Sequence, residues 1–215
     1  MNALDVSPRR HVPDEMLAAH AAGALPYPFA VLIAAHVSWC DECRARLEAH
    51  QILGGVMLEG LAGAPLSAGA RARALAALDR PAPARPRPAP FDVFPGPIAE
   101  VLGGRPPRWR SIGPGTKQAI LWRGAEGSLR LLSIPAGQAV PDHGHRGLEL
   151  TLVLSGSFSD ESGEFRAGDL EVADESVEHV PTAGPEGPCV CAAATDAPLR
   201  FRSLIPRLAQ PFLRI

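Results

Sequence analysis

The sequence lacks an excess of basic residues and lacks long apolar runs, and both absences narrow the range of functions. Lys and Arg total 21 against 23 for Asp and Glu, so the formal net charge is −2 and the isoelectric point is near 6.4. This balance argues against nucleic acid as the main partner. No run approaches the length of a membrane span, and residues 1–15 contain no apolar segment of the signal-peptide kind. We therefore expect a cytoplasmic protein that contacts neither a membrane nor nucleic acid directly.

Cysteine is also scarce, with only four in 215 residues. In a cytoplasmic protein these are thiols or metal ligands before they are disulfides. Two of them, Cys40 and Cys43, follow His36 in the segment HVSWCDEC. At about 100° per residue, these three side chains fall within roughly a 60° arc of one helix. Two thiols and one imidazole on one helix face are a donor set that suits tetrahedral Zn²⁺.

A structural zinc site needs a fourth ligand. His11, which precedes the first helical pattern, is the best candidate, and His20 and His50 are its competitors. A redox role for the Cys-x-x-Cys pair is the alternative, but the βαβ context of thioredoxin-like pairs is missing.

The first half of the chain reads as helices followed by a spacer. We predict helices over residues 13–24, from Pro28 to about Leu53 with a possible break near the metal, and after Ser67 as a possible N-cap. Three such helices bury too little apolar surface to be stable alone, so a metal staple would supply the missing constraint. Residues 79–90 are rich in Pro, Ala and Arg and predict an extended linker. Residues 91–102 regain apolar character and predict a short fourth helix.

From Trp109 onward the pattern changes to short strands separated by Gly, Pro and acidic turns, which is typical of a β-sandwich or barrel. The predicted strands are 109–112, 118–122, 129–134, 148–154, 170–173, 190–194 and 199–204. The fold class is therefore α+β with more than one domain, in which a small all-α part precedes an all-β part.

A second candidate metal site lies among these strands. His143 and His145 are two positions apart, so an extended backbone points both to one face, and Glu149 follows on the next stretch. His179 lies eleven positions after Gly168. Three imidazoles and a carboxylate suit Zn²⁺, Fe²⁺, Mn²⁺, Ni²⁺ or Cu²⁺.

These spacings resemble the cupin superfamily, a small β-barrel fold. Its first motif is matched at every fixed position, whereas the second keeps Gly168 and His179 but has Asp174, Ser176 and Ala183 where the family has Pro, Gly and Asn. A helical domain with His-x24-His-x3-Cys-x2-Cys followed by a cupin resembles the ChrR-type zinc-binding anti-sigma factors over essentially the whole chain.

The resemblance implies a division of the chain and two ligand sets. It implies a helical zinc-binding anti-sigma domain at 1–78, a linker at 79–90, a possible fourth helix of that domain at 91–104 and a cupin at 105–215. The implied ligands are His11, His36, Cys40 and Cys43 for zinc in the first domain. For a second divalent ion in the cupin, with zinc as the first choice, they are His143, His145, Glu149 and His179.

The resemblance further implies a regulator and not an enzyme. Such a protein sequesters a group IV extracytoplasmic-function (ECF) sigma factor as a 1:1 heterodimer and releases it when singlet oxygen or related oxidants appear, with the cupin needed for the response. The alternative is a metal-dependent cupin enzyme, a dioxygenase or isomerase, with a helical accessory domain. A DNA-binding zinc regulator is a third and weaker interpretation.

Three points stay open at this stage. Residues 29–33 or the segment 91–102 are candidate sigma contacts, or they simply pack the helical core. The thiolates at Cys40 and Cys43 could themselves sense oxidants, in place of the cupin. Cys189 and Cys191 face the same side of one strand and are either redox-active or plain buried residues.

Overall fold

The structure, a computed structural model, describes residues 6–80 and 88–201. Within these ranges all helices precede all strands, which confirms the predicted fold class. The helices are α1 (Asp14–Ala21), α2 (Tyr27–Val37), α3 (Asp41–Glu59), α4 (Ala70–Leu78) and α5 (Gly96–Val101). The strands are β1 (Arg110–Ser111), β2 (Lys117–Gly124), β3 (Gly127–Ile134), β4 (His143–Gly144), β5 (Glu149–Ser155), β6 (Ser157–Asp160), β7 (Gly163–Arg166), β8 (Leu170–Ala173), β9 (Glu178–His179), β10 (Thr182–Ala183), β11 (Cys189–Thr195) and β12 (Arg200–Phe201).

The helix predicted from Pro28 to Leu53 is two helices, and they meet inside the candidate zinc segment. Cys40 has an extended backbone (φ −104°, ψ 106°), and its Sγ accepts a hydrogen bond from the Cys43 N–H at 3.4 Å. Cys40 is therefore the N-cap of α3, and the predicted ligands do not share one helix face, because they lie on either side of a junction. Ser67 is also not an N-cap, since that position belongs to Gly69 at φ 74°.

The β part is built around a six-stranded antiparallel sheet in the order β1-β2-β3-β11-β5-β8. Two three-stranded sheets, β10-β6-β7 and β12-β4-β9, accompany it. The strands predicted from alternation and turn residues correspond to β1, β2, β3, β5, β8, β11 and β12. The last residues of the seventh predicted strand, 202–204, lie outside the described residues.

Both faces of the large sheet are covered. On the outer face, buried leucines and alanines from four strands join one apolar cluster with α2, and the members from the sheet are Leu129, Leu131, Leu150, Leu152, Leu154, Leu170, Ala192 and Ala194. The helix contributes Phe29, Leu32 and Ile33, each at most 2% exposed. Because α2 is apolar around its whole circumference, it is suited to a place between two layers and not to the surface.

The long helix α3 is packed along only part of its length. Its first half carries the buried Cys43 and Leu47, whereas every residue from 51 to 60 is exposed. Helix α4 has no buried residue at all. The helical part therefore ends in an exposed helical arm, which we define as residues 51–78.

The segment 91–102 packs with the core. Its Phe94 and Ile98 are buried in the same cluster as α2, and α5 contacts α2. Most of the predicted linker, residues 81–87, lies outside the described residues. Across 6–80 and 88–201, no helix combines the length and the apolar character needed to cross a membrane.

Candidate metal centres

The N-terminal centre brings together His11, His36, Cys40 and Cys43. One potential ligand atom from each lies within 4.8 Å of all the others, and His36, Cys40 and Cys43 are buried. The Nδ1 of His11 is 3.3 Å from the Sγ of Cys40 and 3.6 Å from that of Cys43, and the Nε2 of His36 is 3.3 Å from the latter. Two sulfurs and two imidazole nitrogens converging on one point are the donor set of a tetrahedral structural zinc site.

The second ring nitrogen of each histidine is fixed by another group. The Nδ1–H of His36 donates to the carbonyl oxygen of Gly168 at 2.8 Å, which leaves Nε2 unprotonated and directed at the sulfurs. The Nε2 of His11 lies 3.3 Å from a carboxylate oxygen of Glu42. Such partners set the tautomer and ring orientation of metal-binding histidines.

Burial keeps His36 and Cys43 of this centre uncharged when no metal is bound. It lowers the pKa of His36 to about 4, and it raises the pKa of Cys43 to about 11. A neutral imidazole is ready to bind a metal, whereas the thiol of Cys43 must release its proton to solvent when the ion binds.

The competing histidines are elsewhere. The Nε2 of His50 is 3.3 Å from Asp14, and the buried Nδ1 of His20 has no hydrogen-bond partner among the described residues. Neither belongs to the four-residue cluster.

The second centre lies inside the β part and contains His143, His145 and His179, all buried and with ligand atoms within 4.8 Å of one another. His143 and His179 are directly paired residues of β4 and β9. The Nε2 of His145 is 3.4 Å from the Nε2 of His179. The Nδ1–H of His143 donates to the Pro141 carbonyl at 2.8 Å, so its Nε2 is unprotonated and is the atom that could bind a metal.

The predicted fourth ligand of this centre, Glu149, lies beside the three histidines and not among them. It is buried, and its carboxylate oxygen is 3.9 Å from the Nδ1 of His145, on the opposite side of that ring from the contact with His179. Burial, with repulsion from Glu171, raises the pKa of Glu149 to about 7.

Sequence reasoning missed two carboxylates of this centre, Asp160 on β6 and Glu171 on β8. They lie 2.8 Å and 3.3 Å from the Nδ1 of His179 and form a second possible metal-binding group with it. Burial alone lowers the pKa of His179, but these two contacts outweigh it and raise the pKa to about 9. The available signal was the alternation of β8, where Glu171 stands between Leu170 and Val172.

A cavity of about 510 Å³ opens beside these histidines. Its walls are mostly apolar, and its charged lining residues include Arg130 of β3, whose Nε and Nη1 are buried without a hydrogen-bond partner among the described residues. Cys191 lines the cavity, and a hydrogen bond with Cys189, together with burial, raises its pKa. Both thiols are therefore buried and Cys191 is protonated, which is a poor environment for a reactive cysteine.

Known proteins share this architecture over most of the chain. Residues 105–197 match the family of ChrR cupin-like domains. The anti-sigma-E factor ChrR of Cereibacter sphaeroides is 53% identical over 213 residues, which cover 96% of this chain and 99% of that protein. The crystal structure of Rhodobacter sphaeroides SigE in complex with the anti-sigma ChrR superposes with a TM-score of 0.79 at 49% identity, covering 89% of this chain and 100% of the other.

These relatives are described as regulators, which favours the anti-sigma interpretation over the cupin-enzyme alternative. The helical and cupin parts are both included, because the identity extends over nearly the full length of both sequences. The chain therefore belongs to the ChrR family of anti-sigma factors.

Proposed function

We propose that this protein sequesters an ECF sigma factor in the cytoplasm, as a 1:1 complex held by its zinc-stapled helical part, and releases it under singlet oxygen or related oxidative stress. The cupin part, with a second divalent ion that we take to be zinc, is needed for release. The observation that carries the proposal is the exposed helical arm. The proposal is also supported by two relatives: the anti-sigma-E factor ChrR is 53% identical to this chain, and a ChrR is seen in complex with SigE.

The exposed helical arm displays apolar side chains that nothing in the described chain covers. Ile52, Leu53, Val56, Met57 and Leu58 of α3 are 57–69% exposed, and Leu75 and Leu78 of α4 are 51% and 79% exposed. A soluble protein rarely keeps so many large apolar residues together on its surface unless another protein covers them. A pair of helices with apolar faces is suited to packing against the helices of a partner.

The metal centre fixes the base from which the exposed helical arm extends. It joins the N-terminal tail at His11 to the α2–α3 junction, and the packed half of α3 starts directly at Cys40. A rigid base keeps the arm in one orientation, so less conformational entropy is lost when the partner binds.

The test replaces two apolar residues of the arm with charged ones. Leu53→Asp together with Val56→Asp should weaken binding to the purified ECF sigma factor by about a hundredfold or more, as expected for residues at the centre of an interface. Both side chains are exposed, so the thermal unfolding of the free protein should stay nearly unchanged. Binding is measured by isothermal titration calorimetry.

The matched control is Ala45→Asp, which adds a charge to an exposed position in the packed half of the same helix. It should bind like the native protein. Native affinity of the double variant would show that the arm is not the sigma-binding surface.

A further inference from the structure

The turn between β7 and β8, at Gly168 and Asp169, belongs to the cupin but contacts His36 and the tail that carries His11. We propose that this turn acts as a latch that completes the N-terminal centre, so that retention of zinc by the anti-sigma part depends on the cupin. The inference rests on the proposed function for its biological meaning, because it names a route by which the cupin would control release.

The first contact of the latch is to His36. The Gly168 carbonyl oxygen accepts the Nδ1–H of His36 at 2.8 Å, in a fully buried position. A carbonyl only accepts hydrogen bonds, so it fixes the tautomer that leaves Nε2 available to the metal. Since this acceptor comes from 132 residues away in the chain, the helical part does not orient this ligand by itself.

The second contact is to the tail that carries His11. The Asp169 carboxylate is 2% exposed, and its Oδ1 accepts the backbone N–H groups of Arg9 and Arg10 at 2.6 Å and 3.0 Å. Its Oδ2 accepts the Arg166 N–H at 2.8 Å, which fixes the turn itself. A buried carboxylate with three N–H partners is a strong anchor, because charge-assisted hydrogen bonds are stronger than neutral ones.

Further contacts continue this attachment along the tail. The Arg10 carbonyl accepts the Leu170 N–H at 3.2 Å. The Arg10 guanidinium donates to the Ser162 carbonyl at 2.9 Å and lies 5.0 Å from the centre of the Phe165 ring. The residues just before His11 are therefore held to the cupin. This attachment positions the His11 side chain near the two cysteines without further ordering of the tail.

Strand β8 connects the latch with the cupin centre. Leu170 bonds to the tail, and the next residue, Glu171, reaches His179 at 3.3 Å on the cavity side of the same strand. We therefore expect a change at the cupin centre that displaces Glu171 to displace Asp169 of the latch, two residues earlier in the chain.

The experiment measures metal retention in the full-length protein without sigma factor. Cobalt is loaded in place of zinc, and the sulfur-to-cobalt charge-transfer band is followed during titration with a chelator. The band reports the site of Cys40 and Cys43, because the ligand candidates of the cupin centre are nitrogen and oxygen atoms. Asp169→Ala should lose cobalt at chelator concentrations about ten- to a hundredfold lower than the native protein.

Two comparisons separate a positioning role from a general loss of stability. Asp169→Asn keeps an acceptor oxygen and should recover part of the lost affinity. Asp196→Asn changes a cupin carboxylate that also accepts a backbone N–H, that of Leu148 at 2.8 Å, and should retain cobalt like the native protein.

A glycine pair tests the latch from the other side. Gly168 has φ +91°, and a Cβ there would collide with Val6 and Pro8 of the tail. Gly137 has φ +69°, and a Cβ there would meet nothing within 4 Å. Gly168→Ala and Gly137→Ala both place a side chain on a backbone with positive φ, but only Gly168→Ala should lose cobalt at a lower chelator concentration than the native protein.

The link to the cupin centre is tested by combining variants. Replacing His143 and His145 with alanine should weaken cobalt retention at the thiolate site when Asp169 is present and should have little further effect in Asp169→Ala. Additive losses would overturn the transmission through β8.

The latch is wrong if Asp169→Ala and Gly168→Ala both retain cobalt like the native protein, or if Gly137→Ala loses it equally. Should Asp169→Ala not fold, the glycine pair decides alone. Because sigma factor is absent from these measurements, failure of the proposed function would appear in the binding of sigma and not here.

Discussion

Each thiol of the N-terminal centre is held by backbone geometry before any metal binds. Cys40 caps α3 and Cys43 lies in its first turn, so the start of one helix sets the separation of the two sulfurs. We therefore propose that the pair binds metal as a preformed unit with the two histidines, and that removing it leaves only the imidazoles of His11 and His36 to hold the ion.

We predict that Cys40→Ser with Cys43→Ser removes the metal of the N-terminal centre and releases the sigma factor. The loss of the staple should loosen the tail and α3, because a small helical domain depends on its metal. Metal content by mass spectrometry and co-purification with sigma test this.

The control for this pair is Cys189→Ala, which changes a buried cysteine at the start of β11 that packs in a cluster without any helix residue. It should keep both the metal and sigma. Native sigma binding by the Cys40/Cys43 variant would contradict the staple hypothesis.

At the cupin centre we predict different roles for two buried carboxylates. Glu149→Gln should lose the second metal, whereas Glu171→Gln should weaken its binding by about ten- to a hundredfold, because we expect Glu171 to orient His179 and not to bind this ion itself. Metal stoichiometry and chelator competition distinguish the two.

An exposed carboxylate of β7 is the control, since Glu164→Gln should change neither value. If Glu149→Gln holds the second metal as tightly as the native protein, Glu149 is not a ligand. Its side chain then stays beside the histidines when the metal is bound, as it does in this structure.

At the scale of elements, the exposed helical arm has no buried residue and therefore little tertiary packing to stabilise its helices. An isolated helix of this length is marginal in water without tertiary packing. Two adjacent glycines, Gly54 and Gly55, weaken α3 further, and a Cβ at either would meet nothing within 4 Å.

We predict that Gly54→Ala with Gly55→Ala stabilises this half of α3 by about 1–2 kcal/mol, since each glycine in a helix interior costs about 0.5–1 kcal/mol relative to alanine. Hydrogen exchange of the amides from 52 to 59 should slow in the free protein. Gly187→Ala, where a Cβ also meets nothing within 4 Å, should leave that exchange unchanged. Unchanged exchange in the double variant would mean that α3 is already stable without a partner.

Seven of the twelve described strands and the two clusters of His and Cys residues could be predicted from local pattern, whereas the short strands β4, β6, β7, β9 and β10 were not predicted. The break at Cys40 could be anticipated only as a possibility, because His36, Cys40 and Cys43 fit one face of a continuous helix equally well. Glu171 and Asp160 were missed because single acidic residues on short strands look like ordinary surface positions.

The suggestion that residues 29–33 contact sigma stays a prediction, and the burial of Phe29, Leu32 and Ile33 against the cupin sheet counts against it. An apolar helix shows in its sequence that it will be covered, but the sequence does not show by what. The other suggestion, that these residues pack a core, is confirmed, although that core is shared with the sheet.

At the scale of the whole molecule, the shared core between α2 and the large sheet predicts cooperative unfolding. Leu32→Ala should destabilise the protein by ~2–5 kcal/mol, as is usual for a buried leucine. Because Leu32 packs in the same cluster as Leu131 and Leu150, the helical and cupin parts should unfold in one calorimetric transition that shifts as a unit.

The matched control is Leu53→Ala, whose side chain is 57% exposed and should change stability by no more than about 0.5 kcal/mol. Two separate transitions, of which Leu32→Ala moves only one, would show that the helical and cupin parts are energetically independent.

The six-stranded sheet is a single layer of backbone with a ligand-sized hollow on one side and a helix on the other. Neighbouring residues of one strand, such as Leu150 and Thr151, belong to these two different environments. Because successive side chains of one strand point to opposite faces, a displacement of the strand moves both faces together. We therefore expect a ligand that shifts the strands beside the hollow to shift their contacts with α2 as well.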